Sequence, residues 1–334
     1  MKRSRVRGVW LLILGLMMPV GSAAAGDWRQ TPWQPFTSEL FADHRLAGVI
    51  WDPVAAKELT PDALVAALAQ KRFVLVGEFH DNPDDHRLQA WIVSKLMPEA
   101  VVFEMLDVDQ KPGVDAFQGK GDWKPEAMGA ALDWEKRGWP AWTIYQPIAE
   151  AAKEAGATLV AGNAERAKAR AIVKGGLASL DASEVTALGL DRPLPEAADD
   201  ALRAEIATSH CDMLPEDLLP GMALAQRLRD ATMARELSTA TAQGTRAVLI
   251  TGNGHARRDR GVPHALIDQG AKAEDIASVL LIEVDPEATV PSDLVPLDAE
   301  GKPAADIVWF TPSVSRPDPC EEMQRQMKAK SGGG

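Results

Sequence analysis

Six short apolar runs along the chain predict strands. Four of them are continuous and rich in β-branched residues, which is typical of strands covered on both faces of a sheet. These four runs are residues 73–76, 100–103, 158–161 and 247–250. Residues 277–284 and 306–310 have the same character and are predicted as a fifth and a sixth strand.

Helical patterns lie between these runs. Thr60 before Pro61, and Asn82 before Pro83, match the capping residue and proline that mark a helix start. The predicted helices are residues 61–71, 83–97 and 148–155. The stretch 164–243 has no strand pattern and is rich in Ala, Leu, Glu and Arg, so we expect a helical insertion there.

Outside that stretch, strand and helix alternate, and this alternation implies right-handed crossovers. The sequence therefore predicts an α/β fold in which helices flank a mainly parallel β-sheet, with a helical insertion subdomain. The predicted division is a signal peptide (1–25), an α/β core (26–163 and 244–320), the insertion (164–243) and a C-terminal tail (321–334).

The N-terminus has the pattern of a secretory signal peptide. Lys2, Arg3, Arg5 and Arg7 precede an apolar stretch, and residues 23–25 are the small side chains that a signal peptidase prefers. The apolar stretch is shorter than the roughly 20 residues that span a bilayer, which disfavours an uncleaved anchor. We expect the mature chain to be soluble and periplasmic, with no integral membrane span.

Composition narrows the function further. The chain has 334 residues with Lys+Arg 36 and Asp+Glu 48, a net charge of −12, which gives it no electrostatic reason to bind nucleic acid. Its 46% hydrophobic and 25% charged residues are ordinary globular values. Two cysteines exclude a four-cysteine zinc site. After export, Cys211 and Cys320 either form a disulfide or remain free thiols.

Polar residues follow four of the predicted strands at the point where each strand ends. Glu78 and His80 follow the first strand, Glu104 the second, Asn163 the third and His255 the fourth. Both histidines stand in a Gly-x-x-His frame directly after an apolar strand. Ligands of open parallel sheets bind outside the carboxyl ends of the strands, so we expect these side chains to face one crevice.

Three interpretations of this set stay open. Two imidazoles and two carboxylates, from His80, His255, Glu78 and Glu104, can hold a divalent transition metal as in a hydrolase. The same residues can act without metal as catalytic general base and electrostatic stabiliser. Alternatively, the glycines only make turns and the histidines cap neighbouring helices.

Aromatic residues crowd the region after the second strand. Trp123, Trp134, Trp139 and Trp142 form either an apolar core or a wall for a flat aromatic ligand. Tyr145, the only tyrosine of the chain, lies just beyond them. It is a candidate axial ligand for ferric haem, or it packs at the start of the next helix.

Five further residues are secondary candidates. His86 faces either the crevice or solvent. Arg257 and Arg258 either pair with a ligand carboxylate or phosphate or form an exposed basic pair. His210 and Cys211 are either a ligand pair or a structural element of the insertion.

The chain resembles the ChaN-like haem-binding uptake proteins of the Tiki/TraB/erythromycin-esterase superfamily. Its opening motif is VLVGEFHDNP at residues 74–83, followed by His86 and Gln89. The later motifs follow in the same order, at residues 102–105, 145–164, 210–215 and 252–258. The resemblance covers about residues 40–285.

The resemblance implies an α/β domain with a helical subdomain and a role in haem or iron uptake at the bacterial envelope. The expected partner is haem or another small ligand, and a second copy of the chain in a homodimer is a further candidate partner. Tyr145 or a histidine, with His86 as the named candidate, would then reach the iron, and Arg257 or Arg258 would pair with propionates. Superfamily relatives with paired Gly-x-x-His motifs imply the alternative, a metal-dependent peptidase or esterase.

Overall fold

The structure is a computed structural model that describes residues 35–241 and 245–331. The predicted signal peptide, residues 1–25, lies outside these residues. Within the part described, no helix is both long and apolar enough to cross a membrane.

Eight strands form one mixed sheet. They are β1 (Ile50–Asp52), β2 (Lys57–Leu59), β3 (Phe73–Val76), β4 (Ala100–Asp107), β5 (Thr158–Asn163), β6 (Ala247–Ile250), β7 (Ile276–Glu283) and β8 (Ile307–Thr311). The strand order is β2-β1-β8-β7-β3-β6-β4-β5. The six strands from β8 to β5 are parallel, while β1 is antiparallel to both of its neighbours. The α/β fold and its mainly parallel sheet are confirmed.

Twelve α-helices connect or extend these strands within the described residues. They are α1 (Pro61–Leu68), α2 (Pro83–Leu96), α3 (Lys111–Gln118), α4 (Pro125–Ala131), α5 (Trp142–Glu154), α6 (Arg166–Gly175), α7 (Ala182–Ala187), α8 (Glu196–Ser209), α9 (Leu219–Thr239), α10 (Asn253–Ala256), α11 (Val262–Asp268) and α12 (Pro319–Ser331). The side chains of Thr60 and Asn82 cap α1 and α2, as predicted.

All six predicted strands are present, and two strands were missed. Strands β1 and β2 have three residues each, and β2 is largely exposed, so neither has the apolar run of a buried strand. The predicted start of a helix at residue 148 is wrong. Helix α5 begins at Trp142 and contains Pro147, because the buried rings of Trp142 and Tyr145 anchor its first two turns against the core.

The central strands divide their side chains between two core layers. Val74 and Val76 face the layer built from α1, α2 and α5, whereas Phe73 and Leu75 face the layer that contains α9 and α11. This alternation is the two-residue period of a strand buried on both faces. Helices α6, α7 and α9, from the predicted insertion, therefore supply part of the second layer, whereas α8 packs in a smaller cluster with Leu194 and Ala223. Residues 164–241 contain no strand.

Cys211 and Cys320 form a disulfide with a Cα–Cα distance of 5.6 Å. The bond decides between the two alternatives for these residues. It joins the turn after α8 to the start of α12, so the last helix is attached covalently to the helical region. That connection lies close to the cavity described below.

Candidate functional site

The carboxyl ends of β3, β4 and β6 bring four of the predicted residues together. Glu104, near the end of β4, lies between two imidazoles. Its Oε1 is 4.0 Å from Nε2 of His80 and 3.5 Å from Nε2 of His255. The polar residues at these three strand ends therefore form one cluster, with Glu104 at its centre.

The second carboxylate oxygen of Glu104 is held by the turn after β6. Thr251 Oγ1 and the Gly252 amide each donate a hydrogen bond of 2.7 Å to Oε2. Burial opposes the charged form of this carboxyl, but the attraction of His255 and His80 and these two hydrogen bonds outweigh burial. The net result is a lowered pKa, so Glu104 is a buried anion at neutral pH.

Glu78 organises the other side of the cluster. His80 Nδ1 donates to Glu78 Oε1 over 2.7 Å, and the hydroxyl of Tyr145 donates to the same oxygen over 2.7 Å. Burial favours the neutral acid, yet His86 and the hydrogen bond from His80 outweigh it, so the pKa of Glu78 lies well below its usual value. Burial by itself would lower the pKa of His80. Glu78 and Glu104 raise it by more than burial lowers it, so the net pKa is about 9.

His255 has its own carboxylate partner, Asp230 on α9. Nδ1 of His255 is 2.7 Å from Asp230 Oδ1, and both side chains are buried. Burial lowers the pKa of His255, and the charges of Glu104 and Asp230 raise it by more. Sequence reasoning missed Asp230, because no local motif marks one acid on a long helix as facing the sheet.

Tyr145 and His86 lie behind the cluster. Both are fully buried, and their ring centroids are 3.8 Å apart. His86 Nε2 is 3.5 Å from Glu78 Oε2. Burial and the charge of Glu78 raise the pKa of the Tyr145 phenol far above its usual value. Of the two alternatives for Tyr145, the structure shows packing inside a helix, away from the cavity walls.

A cavity of about 500 Å³ opens beside this cluster. Glu104 and Asn163 line it at the ends of β4 and β5, and the opposite walls come from α6, α8 and α9. Its apolar lining includes Val173, Ile206 and Met222. The cavity thus lies outside the carboxyl ends of parallel strands, where ligands of α/β sheets bind.

Three arginines line the same cavity: Arg166, Arg170 and Arg229. Arg166 is paired with Asp107, with Nε and Oδ2 3.2 Å apart. In the described ranges of the chain, Arg170 and Arg229 form no ion pair, so their charges are available to an anionic ligand. Arg166 and Arg170 are four residues apart on a helix that follows a strand end, a signal that sequence reasoning overlooked.

Arg257 and Arg258 have other roles. The guanidinium of Arg257 donates two hydrogen bonds to Asp259, at 2.9 and 2.8 Å. Arg258 is 2.6 Å from Asp306. Neither lines the cavity, so the structure does not bring this predicted basic pair together with the other site residues.

Of the four clustered tryptophans, only Trp139 lines the cavity. Its ring meets that of His80 edge to face, with centroids 5.1 Å apart. Trp123, Trp134 and Trp142 are buried in the core. The region is therefore mostly core, with one indole exposed to the ligand space.

The arginines of the cavity lining suit an anionic ligand, whereas the histidine–carboxylate cluster is not arranged as a metal site. In residues 35–241 and 245–331, no group of three or more His, Cys, Asp or Glu side chains is arranged to hold a metal ion. The predicted metal set of His80, His255, Glu78 and Glu104 is thus unsupported. What the cluster provides is two histidine–carboxylate pairs, each with an Nε2 directed at one buried carboxylate.

A family model described as "Haem-binding uptake, Tiki superfamily, ChaN" matches residues 64–266, more than half of the chain. The chain belongs to this family. A structure of ChaN of Campylobacter jejuni, described as showing cofacial heme binding, is 21% identical with a TM-score of 0.59. The match covers 78% of this chain and 95% of that chain. At this identity, the likeness to ChaN of C. jejuni shows the fold alone.

Two more distant structures share less of this arrangement. The type III effector HopBA1 is 13% identical with a TM-score of 0.40, covering 75% of this chain and 93% of its own. The erythromycin esterase EreC, in its open conformation, is 13% identical with a TM-score of 0.38, covering 78% of this chain and 95% of its own. Neither likeness supports an inference about function. A search of the curated proteins found no match.

Proposed function

We propose that this chain binds haem in the 500 Å³ cavity and serves haem or iron uptake in the periplasm. The observation that carries the proposal is the position of that cavity. It is apolar on one side, lined by arginines on another, and located at the carboxyl ends of the strands in a chain of the haem-binding uptake family. ChaN of C. jejuni, which shares the fold, is described as binding heme.

The cavity fits the chemistry of haem. Its volume lies within the roughly 300–1,000 Å³ that small-molecule pockets occupy. Val173, Ile206 and Met222 offer apolar contacts to a porphyrin, and Trp139 offers an aromatic ring. Arg170 and Arg229 are suited to propionate carboxylates. When bound, haem supplies a ferric iron with an open ligand position.

A periplasmic location is supported by two features. The N-terminus has the signal-peptide pattern, and the disulfide between Cys211 and Cys320 suits an oxidising compartment. A homodimer is part of the proposal, because an open-sided cavity can be closed by a second copy. Fractionation of cells expressing the full chain, followed by N-terminal sequencing, would test export and cleavage.

Haemin titration tests the binding proposal. Protein recovered after export is titrated with haemin and the Soret band is followed, with serum albumin as a nonspecific reference. Ala225, which lines the cavity, is replaced in Ala225→Trp to fill the space, and Ala55→Trp at an exposed turn is the matched control. We expect saturable binding that only Ala225→Trp abolishes. Albumin-like binding, or binding unaffected by Ala225→Trp, would contradict the proposal.

Hydrolysis is the second candidate function. The observation that favours it is the pair of imidazoles directed at Glu104 beside the cavity. A general base and a carboxylate near bound substrate can activate water. An esterase and peptidase panel with wild type and Glu104→Gln distinguishes the two functions, since haem binding does not require Glu104.

A further inference from the structure

The cavity wall opposite the strand ends contains a histidine with no assigned role. His210 directly follows α8 and lines the cavity together with Ser209 and Ile206. Sequence reasoning left it between a ligand and a structural residue. Its hydrogen bonds decide how its two nitrogens can be used.

The proton of the neutral ring must be on Nδ1. This nitrogen is 2.8 Å from the carbonyl oxygen of Ile206, which can only accept a hydrogen bond. The hydroxyl of Ser209, 3.2 Å from Nδ1, itself donates to that carbonyl over 3.0 Å. Nε2 of His210 therefore carries a free lone pair, and it has no hydrogen-bond partner in the described part of the chain.

Such an arrangement is typical of metal-bound histidines. A ligating imidazole usually donates its other N–H to a carboxylate or backbone carbonyl, which fixes its tautomer and its orientation. The other histidines near the cavity differ. Nε2 of His255 and of His80 are directed at Glu104, and His86 is fully buried.

The backbone after His210 is held in an unusual conformation. Cys211 and Asp212 have φ values of 59° and 53°, in the left-handed region that non-glycine residues rarely occupy. The disulfide to Cys320 fixes this turn at its first residue. The left-handed conformation of this turn is unfavourable in free energy, and the disulfide helps to maintain it. The turn in turn keeps His210 at the cavity wall.

We propose that His210 is the protein ligand of haem iron, reached through Nε2 from the helical side of the cavity. The inference rests on the proposed haem function and deepens it. The sequence-based expectation was Tyr145 or a histidine, with His86 as the named candidate, and the geometry selects His210 instead. The inference also assigns a purpose to the Ile206 carbonyl and to the disulfide, which together set the position and tautomer of the ring.

The test compares haemin complexes of full-length, exported protein. Wild type, His210→Ala, His210→Gln and the control His264→Ala are titrated, and their Soret and electron paramagnetic resonance spectra are recorded. His264 is a partly buried surface histidine paired with Asp268, away from the cavity. We expect loss of His210 to raise the haemin Kd by at least about tenfold, since losing even an outer partner of a ligating histidine costs 10–100-fold.

Rescue with imidazole identifies ligation directly. In His210→Gly, free imidazole should restore the wild-type spectrum, and His264→Ala should have that spectrum without it. If wild type binds haemin and His210→Ala keeps both its spectrum and its Kd, the ligand assignment is wrong and the haem function stands. If wild type does not bind haemin, the proposed function fails and the assignment fails with it. Should His210→Ala unfold, His210→Gln gives the same comparison.

Discussion

Tyr145 donates a hydrogen bond of 2.7 Å to Glu78, and this contact removes the only tyrosine of the chain from the ligand space. The same oxygen of Glu78 also accepts from His80. One buried carboxylate thus fixes two of the side chains that the sequence marks as functional. Its removal should therefore affect the fold and the site together.

Glu78→Gln should lower the free energy of unfolding. The substitution keeps the shape of the side chain but removes the charge that balances the imidazoles, and breaking a buried pair costs about 3 kcal/mol. Urea denaturation at pH 7 measures the loss. The control is Glu150→Gln on the exposed face of α5, where we expect a change within about 0.5 kcal/mol. Equal stability of the two variants would contradict the role given to Glu78.

The stability of the ligand-free protein should fall as the pH rises above neutrality. The pKa of His80 is about 9 in the folded protein, against 6.5 for an ordinary histidine. Because the folded pKa is the higher one, this stabilisation is complete below pH 6.5 and is lost as the pH rises through 9. NMR titration of the His80 ring, assigned with His80→Gln, should show a midpoint near 9. A midpoint near 6.5 would show that Glu78 and Glu104 do not stabilise the charged ring.

Sequence patterns predicted those parts of the site that depend on strand ends. Glu78, His80, Glu104 and His255 each follow a buried apolar strand, and parallel strands bring their carboxyl ends to one edge. The sequence could not show how Tyr145 is oriented. Its position beside a tryptophan cluster fits both core and ligand roles, and only the packing of α5 on α2 decides between them.

The residues that were missed belong to helices rather than strand ends. Asp230 and Arg229 are adjacent on α9, and only the way that helix packs on the sheet determines which faces His255 and which the cavity. Arg257 and Arg258 follow a motif at a strand end, yet their guanidinium groups are already paired with nearby acids. Local sequence does not reveal such competition between partners.

Gly77 is required by close packing in the first Gly-x-x-His turn. A Cβ added there would lie 2.2 Å from Oδ1 and 3.1 Å from Cα of Asn253. The side chain of Asn253 is held in place, because its Nδ2 donates a hydrogen bond of 2.7 Å to the Leu281 carbonyl. Gly77→Ala should therefore destabilise the protein by about 1–3 kcal/mol, as overpacking does.

The matched control for this glycine is Gly113 in α3. The nearest atom to a Cβ there is Leu132 Cδ2 at 3.7 Å, an ordinary contact. Gly113→Ala should be neutral or stabilise the helix by up to about 1 kcal/mol. Thermal unfolding of both variants measures the contrast. A Gly77→Ala variant as stable as Gly113→Ala would show that the turn can rearrange.

The two unpaired arginines of the cavity give a prediction about affinity. Arg170 and Arg229 come from different helices, α6 and α9, and both line the cavity. Since neither forms an ion pair within the described residues, each can pair with a ligand carboxylate without first breaking an ion pair. Arg257 and Arg258, the two arginines that the sequence offered as candidates, would first have to leave Asp259 and Asp306.

Arg170→Ala and Arg229→Ala should each raise the haemin Kd by about tenfold, the effect of one lost charge-assisted contact. The loss should shrink as salt is added, because screening weakens the same attraction in wild type. Titrations at low and high ionic strength measure both effects. Arg45→Ala, at an exposed position outside the cavity, controls for net charge and should leave the Kd unchanged. If Arg45→Ala weakens binding as much as the cavity variants do, the attraction is one of overall charge, and the arginines of the cavity do not select the ligand.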